Sequence, residues 1–256
     1  MKFSQIAAQL YTVRDLCTST DDLARTLSRL RAIGYEAVQV SGIPESISAS
    51  EIRRLADAEG LKICATHEPG DRIRREPKAI VERLQTLGAI HTAYPYPSGV
   101  DFKDVASIKA MVSDLDAAGA VLREHGCTLS YHNHAIEFLR IGDETLMDYI
   151  FRATAPENLL FELDTYWVQA GGCNPVAWIR KVAGRSPLIH LKDFGFGADN
   201  KAFFAEVGSG NLDMPAIVET ADASGTEWFI VEQDVCPGDP LASLGISFRY
   251  LSGLAK

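Results

Sequence analysis

Short apolar runs rich in β-branched residues alternate with longer amphipathic stretches from one end of the chain to the other. Runs at Phe3–Leu10, Tyr35–Val40, Leu61–Thr66, Ala89–Tyr94, Cys127–Tyr131, Leu159–Leu163, Leu188–Leu191 and Trp228–Val231 read as eight strands. The stretches between them read as helices with start and stop signals. In DDLARTLSRLRAIG, Leu23, Leu27 and Leu30 share one face, with Thr20 the expected N-cap and Gly34 the stop. SASEIRRLADAEG opens with the capping-box spacing from Ser48 to Glu51 and stops at Gly60. PKAIVERLQTLG has Pro77 at an early helical position and Gly88 just beyond the end. A fourth helix is expected from about Phe102 to His125, and further helical patterns follow Gly142, Asn174, Asp213 and Asp239.

Strand-then-helix repeated eight times implies a parallel sheet with crossover helices. An open doubly wound sheet and a closed barrel compete. Eight units in 256 residues favour the barrel, and no GxGxxG turn follows an early strand to favour the dinucleotide fold. The expected architecture is a single (β/α)₈ TIM barrel spanning 1–256 as one domain.

In such a barrel, chemistry sits where the strands end. Here the strand ends are polar. Strand five runs into His132, Asn133, His134 and Glu137, and strand six into Asp164. Strand seven gives His190, Lys192 and Asp193, and strand eight gives Glu232 and Asp234. The third strand ends at His67 and Glu68, and the first two contribute Gln9 and Gln39. Ionisable groups beside apolar strands are costly unless solvated, paired or metal-bound. Strands five to eight are neighbours in a barrel, so His132, Asp164, His190 and Glu232 would converge on one half of the mouth. Two imidazoles and two carboxylates suit a transition-metal ion better than Ca²⁺. One divalent ion is expected (Mn, Co, Zn, Fe or Mg), and ligand type does not choose among them.

Charge and composition narrow the partners. A net charge of −9 without a Lys/Arg-rich run argues against nucleic acid. Arg72 to Arg75 reads as a solvated loop. Five widely spaced cysteines without a CxxC fit a reducing compartment and exclude a thiolate zinc cluster. No signal peptide or membrane span is expected, so cytoplasmic is the default location. A small-molecule substrate is expected. Oligomeric state is not readable, a homo-oligomer being one option.

The motifs LYTVRD, GYEAVQVSG, YHNHAIEF, LDTYWVQAGGCNP, HLKDF, GSGNLD and VEQD, spread over nearly the whole chain, carry a resemblance. The sequence is similar to the sugar phosphate isomerase/epimerase group of xylose-isomerase-like barrels, which includes ketose 3-epimerases, hydroxypyruvate isomerase, inosose dehydratase and dehydroshikimate dehydratase. The resemblance implies a carbohydrate substrate and a single divalent metal held by His132, Asp164, His190 and Glu232. The last three match the family's motifs. At His132 the epimerases and hydroxypyruvate isomerase have a glutamate, so the pair of opposed glutamates that serves epimerisation is incomplete. Trp167 stands where the epimerases have a substrate-binding histidine, and no arginine matches their loop beyond strand seven. The HNH sequence is more similar to the inosose-dehydratase branch.

The expected chemistry is proton abstraction next to a carbonyl of a polyhydroxylated substrate through a metal-stabilised enediolate, leading to isomerisation, epimerisation or dehydration. Glu232 is the expected base, with His134 or Lys192 as acid. His67, Trp167, Tyr94 and Glu137 are assigned to substrate contact, and Tyr166 to the same apolar wall. Bland readings stand beside these. His134 competes with His132 as ligand, His67 is equally a structural strand-end histidine, and Lys192 and Asp193 may pair with each other. Glu137 may orient a ligand histidine. Gly208 and Gly210 read equally as an anion nest or as a tight turn before a helix capped by Asp213. Two rivals remain: a DNA-repair endonuclease branch of the same fold, disfavoured by charge, and a non-catalytic sugar-binding barrel.

Overall fold

The computed structural model describes residues 1–256. Eight parallel strands close into a barrel: β1 (Ile6–Gln9), β2 (Ala37–Val40), β3 (Lys62–His67), β4 (His91–Tyr94), β5 (Thr128–His132), β6 (Leu159–Asp164), β7 (Leu188–Leu191) and β8 (Trp228–Val231). Each pairs with its neighbours in chain order, and β1 pairs with both β2 and β8 to complete the ring. The expected strands are all present; the first five start later than expected, and the last three start at the expected residues. Phe3–Gln5, for instance, forms a 3₁₀ turn rather than part of β1. At the other end β3, β5 and β6 run one residue further than expected. Asp164 pairs with His190 and His132 with Glu162, so both candidate ligands are the last residues of paired strands.

The outer ring contains α1 (Thr20–Ile33), α2 (Ala49–Ala58), α3 (Pro77–Leu87), α4 (Val105–Glu124), α5 (Leu146–Ala153), α6 (Pro175–Lys181), α7 (Met214–Ala223) and α8 (Pro240–Leu254). Ser19 rather than Thr20 caps α1, its hydroxyl accepting from the Asp22 amide. Asp104 begins α4 later than Phe102. The stretch Arg72–Arg75 belongs to a short helix, Gly70–Arg75, not to a loop. Arg74 reaches Asp114 on α4 at 2.7 Å and fastens the two. Two hairpins lie outside the barrel, Arg140–Ile141 with Glu144–Thr145 and Asp193–Phe196 with Ala202–Ala205. No helix is long and apolar enough to cross a membrane.

Most apolar burial lies between strands and helices, in a cluster of 58 buried residues. The barrel interior is different. Its apolar cluster has only six buried members, Ala7, Ala37, Cys64, Ala65, Leu188 and Ile230. Strand side chains alternate in direction, so residues two places on from this floor also point inward. Gln9, Gln39, His67 and His190 follow Ala7, Ala37, Ala65 and Leu188 in that way, and a polar layer lies directly on a small apolar one.

Candidate active site

The polar layer is centred on Glu162, which is fully buried. Gln39 donates from Nε2 to Glu162 Oε1 at 2.6 Å. Glu162 Oε2 lies 2.5 Å from His67 Nε2, 3.0 Å from His132 Nδ1 and 3.3 Å from His190 Nε2. Burial pushes this carboxyl up, but the surrounding imidazoles outweigh it and hold the group well below its ordinary value. An ionised carboxylate only accepts, so the His67 and His132 nitrogens facing it carry protons. Gln39 Oε1 in turn accepts from Gln9 Nε2 at 2.9 Å and from His190 Nε2 at 2.7 Å.

This network fixes what the opposite ring nitrogens do. His132, kept neutral by burial, turns Nε2 toward Asp164 Oδ2 at 3.9 Å. His190 turns Nδ1 toward Glu232 Oε2 at 2.9 Å. Burial pulls the His190 pKa down, but the Glu162 and Glu232 carboxylates outweigh it and bring the value to about 10. Above the Glu162 layer, His132, Asp164, His190 and Glu232 therefore offer donor atoms that all lie within 4.8 Å of one another. A lower set, His67, His132, Glu162 and His190, meets the same limit.

The upper set fits a divalent cation on three grounds. Its ligand types are those of transition-metal sites. Both imidazoles are oriented from behind by Glu162 or Gln39, the arrangement that sets ring tautomer in metal sites. Asp164 Oδ2, fully buried, accepts no directed hydrogen bond, although Lys192 Nζ is 3.1 Å away.

Lys192 is buried among carboxylates: besides Asp164 its Nζ lies 2.8 Å from Glu232 Oε2 and 2.9 Å from Asp234 Oδ1. Burial alone would lower its pKa, but these three neighbours raise it above the usual lysine value. Asp193 points elsewhere. Its carboxylate accepts from the amides of Gly208, Gly210 and Leu212 at 2.9, 3.0 and 3.2 Å, so Lys192 and Asp193 do not pair. The glycine turn is an anion nest, and the anion is the chain's own Asp193. A Cβ on Gly210 would lie 2.4 Å from Asp193 Oδ1, which explains the glycine.

Over this cluster opens a cavity of about 520 Å³ whose lining includes His67, His132, His134, Lys192, Glu232 and Asp234. His134 packs edge-on against His132 and Tyr96, with its Nδ1 unpartnered. Burial, reinforced by the Lys192 charge, lowers its pKa to about 4, so it is neutral near pH 7. Trp167 stands beside His134 and Lys192, its Nε1 also unpartnered. Tyr166 and Phe204 pack with it into an aromatic wall.

Of the four residues expected to touch substrate, His67 lines the cavity, Trp167 packs beside the lining residues His134 and Lys192, and Tyr94 and Glu137 are not brought to it. Tyr94 is fully buried on the outer side of β4, its ring against Tyr131. Tyr96, two residues on, lines the cavity instead. Glu137 is also fully buried, accepting from the Tyr131 hydroxyl at 2.9 Å and the His134 amide at 2.7 Å. It orders the turn that carries His134 and touches no ligand histidine ring. Residues that sequence reasoning missed are Glu162, Phe204, Tyr96 and Arg14. For Glu162 a signal existed: it lies two residues before Asp164 in one strand, hence on the same inward face.

The sequence profile of the xylose isomerase-like TIM barrel family matches residues 27–251. The chain belongs to this family. It is 25% identical over 163 residues to an inosose dehydratase of Geobacillus kaustophilus, covering 57% of this chain and 52% of that protein. The chain spans about half the length of the curated relatives it matches. Among solved structures, a sugar phosphate isomerase/epimerase from Parabacteroides distasonis superposes with a TM-score of 0.83 at 22% identity, covering 100% of this chain and 96% of that one. An L-ribulose 3-epimerase superposes with a TM-score of 0.72 at 17% identity, covering 98% and 94%. At these identities the likeness establishes the fold.

Proposed function

We propose that this barrel is a divalent-metal-dependent enzyme that removes a proton next to the carbonyl of a sugar, keto-sugar or cyclitol, leading to dehydration or one-base isomerisation. The observation that carries the reading is the convergence of His132, Asp164, His190 and Glu232 at the base of a cavity. The inosose dehydratase and epimerase relatives support the same class.

When bound, a divalent ion would supply Lewis-acid polarisation of the carbonyl and offset negative charge on its oxygen. The chain's own groups do the rest. Both protein contacts of Glu232 fall on Oε2, which leaves Oε1 to take the proton from carbon. Burial raises this carboxyl's pKa, but Lys192 and His190 outweigh it and hold the value well below normal. Glu232 is therefore a modest base, and the carbonyl must be polarised for it to act. Lys192, fully protonated, presents N–H to the developing oxyanion or to a departing hydroxyl. A neutral His134 suits hydrogen bonding to a substrate hydroxyl better than proton donation. Trp167 and Phe204, packed edge to face beside Lys192, with Trp167 also against His134, would offer apolar contact to the sugar.

A second base on the opposite face is missing. Where the epimerases place a glutamate stands His132, with one nitrogen committed to Glu162. Glu162 has both oxygens engaged beneath the site. This favours a one-base outcome over two-base epimerisation.

The test is solvent deuterium exchange into an inosose and a ketohexose with Mn²⁺-loaded protein. Glu232→Gln should slow exchange by roughly 10²–10⁴-fold while metal remains bound. Exchange at wild-type rate in that variant, or no metal bound by the wild type, overturns the reading.

A further inference from the structure

The cavity wall opposite the aromatic side is built from the segment after β1 and the loop after β2. It presents Tyr11, Arg14, Ser41 and Gly42. Only two side chains in the lining, Lys192 and Arg14, are full-time cations. Their situations differ. The Lys192 charge is met by three carboxylates. Arg14 meets only neutral acceptors: its guanidinium donates to the Tyr11 carbonyl at 2.8 Å and, less closely, to the Asp234 carbonyl at 3.3 Å.

The guanidinium is nevertheless held in place. It stacks on the Tyr11 ring at 4.2 Å. Behind it, Gly42 adopts a φ of +69°, and a Cβ there would lie 3.0 Å from the Tyr11 ring and 3.3 Å from Arg14 Cβ. A side chain at residue 42 would crowd the stack. A fixed planar fork with unused N–H groups is suited to a carboxylate or phosphate, and little entropy is lost when it binds one. Arg14 is also set at a definite place relative to the chemistry. It contacts the backbone of Asp234, whose carboxylate meets Lys192, which in turn meets Glu232. A molecule with its carbonyl at Glu232 and Lys192 would share its cavity with this wall, so another part of it could reach Arg14.

We propose that Arg14, with Tyr11, Ser41 and Gly42, forms a binding site for an anionic group remote from the reacting carbonyl, so that the preferred substrates are sugar acids or sugar phosphates rather than neutral sugars. This rests on the proton-abstraction reading for the placement of the carbonyl end.

The experiment is calorimetric binding of D-fructose, D-fructose 6-phosphate and 5-keto-D-gluconate to Mn²⁺-loaded wild type and Arg14→Gln. At least one anionic probe should bind the wild type roughly tenfold or more tightly than fructose, and added salt should erode that advantage. The phosphate and carboxylate arms show which group the site takes. Arg14→Gln should abolish the advantage while leaving metal content and fructose affinity unchanged. Equal affinity for all three probes in the wild type, no binding of either anionic probe, an advantage insensitive to salt, or a uniform loss in the variant would overturn the proposal. The salt series needs no variant. If metal fails to bind at all, the proton-abstraction reading falls, and the anion preference is still read on the metal-free protein.

Discussion

Two polar layers stacked inside the barrel differ in one respect. In the lower layer, Gln9, Gln39 and Glu162 lock together with the inner nitrogens of His132 and His190, and both Glu162 oxygens have partners. Of the six buried side-chain polar atoms without partners, four, Asp164 Oδ2, Asn133 Nδ2, His134 Nδ1 and Trp167 Nε1, lie around the upper layer, while Ser130 Oγ and the Tyr94 hydroxyl lie apart from it. Unpaired buried polar atoms are expensive, so folding alone does not explain them. The closed layer is scaffold, and the open one is a site with capacity left for a ligand. The same imidazoles belong to both, and that shared membership gives the scaffold control over the site.

The comparison can be broken at several points. The largest effect is expected from Lys192→Met, which leaves Asp164, Glu232 and Asp234 facing one another with only the His190 imidazolium against them. Metal-free protein should lose roughly 3–5 kcal/mol, read by denaturant unfolding, and a divalent ion should restore much of it. A loss that divalent ions do not relieve would mean the upper layer is not a cation site.

Glu137 supports the upper layer from outside the barrel, and burial raises its pKa to about 7, against the lowering effect of its hydrogen bonds. Between the unfolded value of 4.5 and about 7, the folded chain keeps a proton the unfolded chain has lost. Its contribution is therefore complete below the lower value and is lost as pH rises through the higher one, by roughly 3 kcal/mol in total. Glu137→Gln should flatten that decline in stability measured from pH ~5 to ~8. An unchanged slope would show that the carboxyl is not held in its neutral form.

Glu162→Gln tests the control of one layer over the other. A glutamine cannot accept from all the imidazoles, so the tautomers loosen and Mn²⁺ affinity should fall by about 10–100-fold by titration calorimetry. Unchanged affinity would reduce the lower layer to packing. The smallest effect is expected from Tyr94→Phe. That hydroxyl is also unpartnered, but it lies outside the cavity. Its removal should change stability by less than about 1 kcal/mol and leave turnover intact. A large loss of turnover would extend the site beyond the mouth.

Much of this was legible in the chain, for identifiable reasons. Eight apolar runs separated by capped amphipathic stretches are strong local signals, and all eight strands formed. Asp164 and Glu232 stood out because each follows an apolar run directly, and His190 because it interrupts the short run LIHL. Glu162 was hidden inside such a run, LLFELD, where a mid-strand carboxylate is easily passed over. Tyr94 and Tyr96 share parity, and what separates them is that β4 ends at Tyr94, so alternation no longer governs Tyr96. In β4, His91 and Ala93 point inward, so Tyr94 must point out, and the strand ends before Tyr96. One residue of uncertainty in the strand boundary decides such an assignment. Phe204 reaches the wall through a hairpin formed by tertiary pairing of DFGF with AFFA, which no local pattern announces. Arg14 is tied to the reactive groups through Asp234, 220 residues away in sequence.

The nest around Asp193 bears on how molecules come and go. Three amides grip a carboxylate at the root of the hairpin that carries Phe204, so the root of that side of the mouth is fastened to the barrel. A movement that admits or releases a molecule would hinge beyond that anchored root, at the hairpin's free end or at the rim carrying Tyr96 and Arg14.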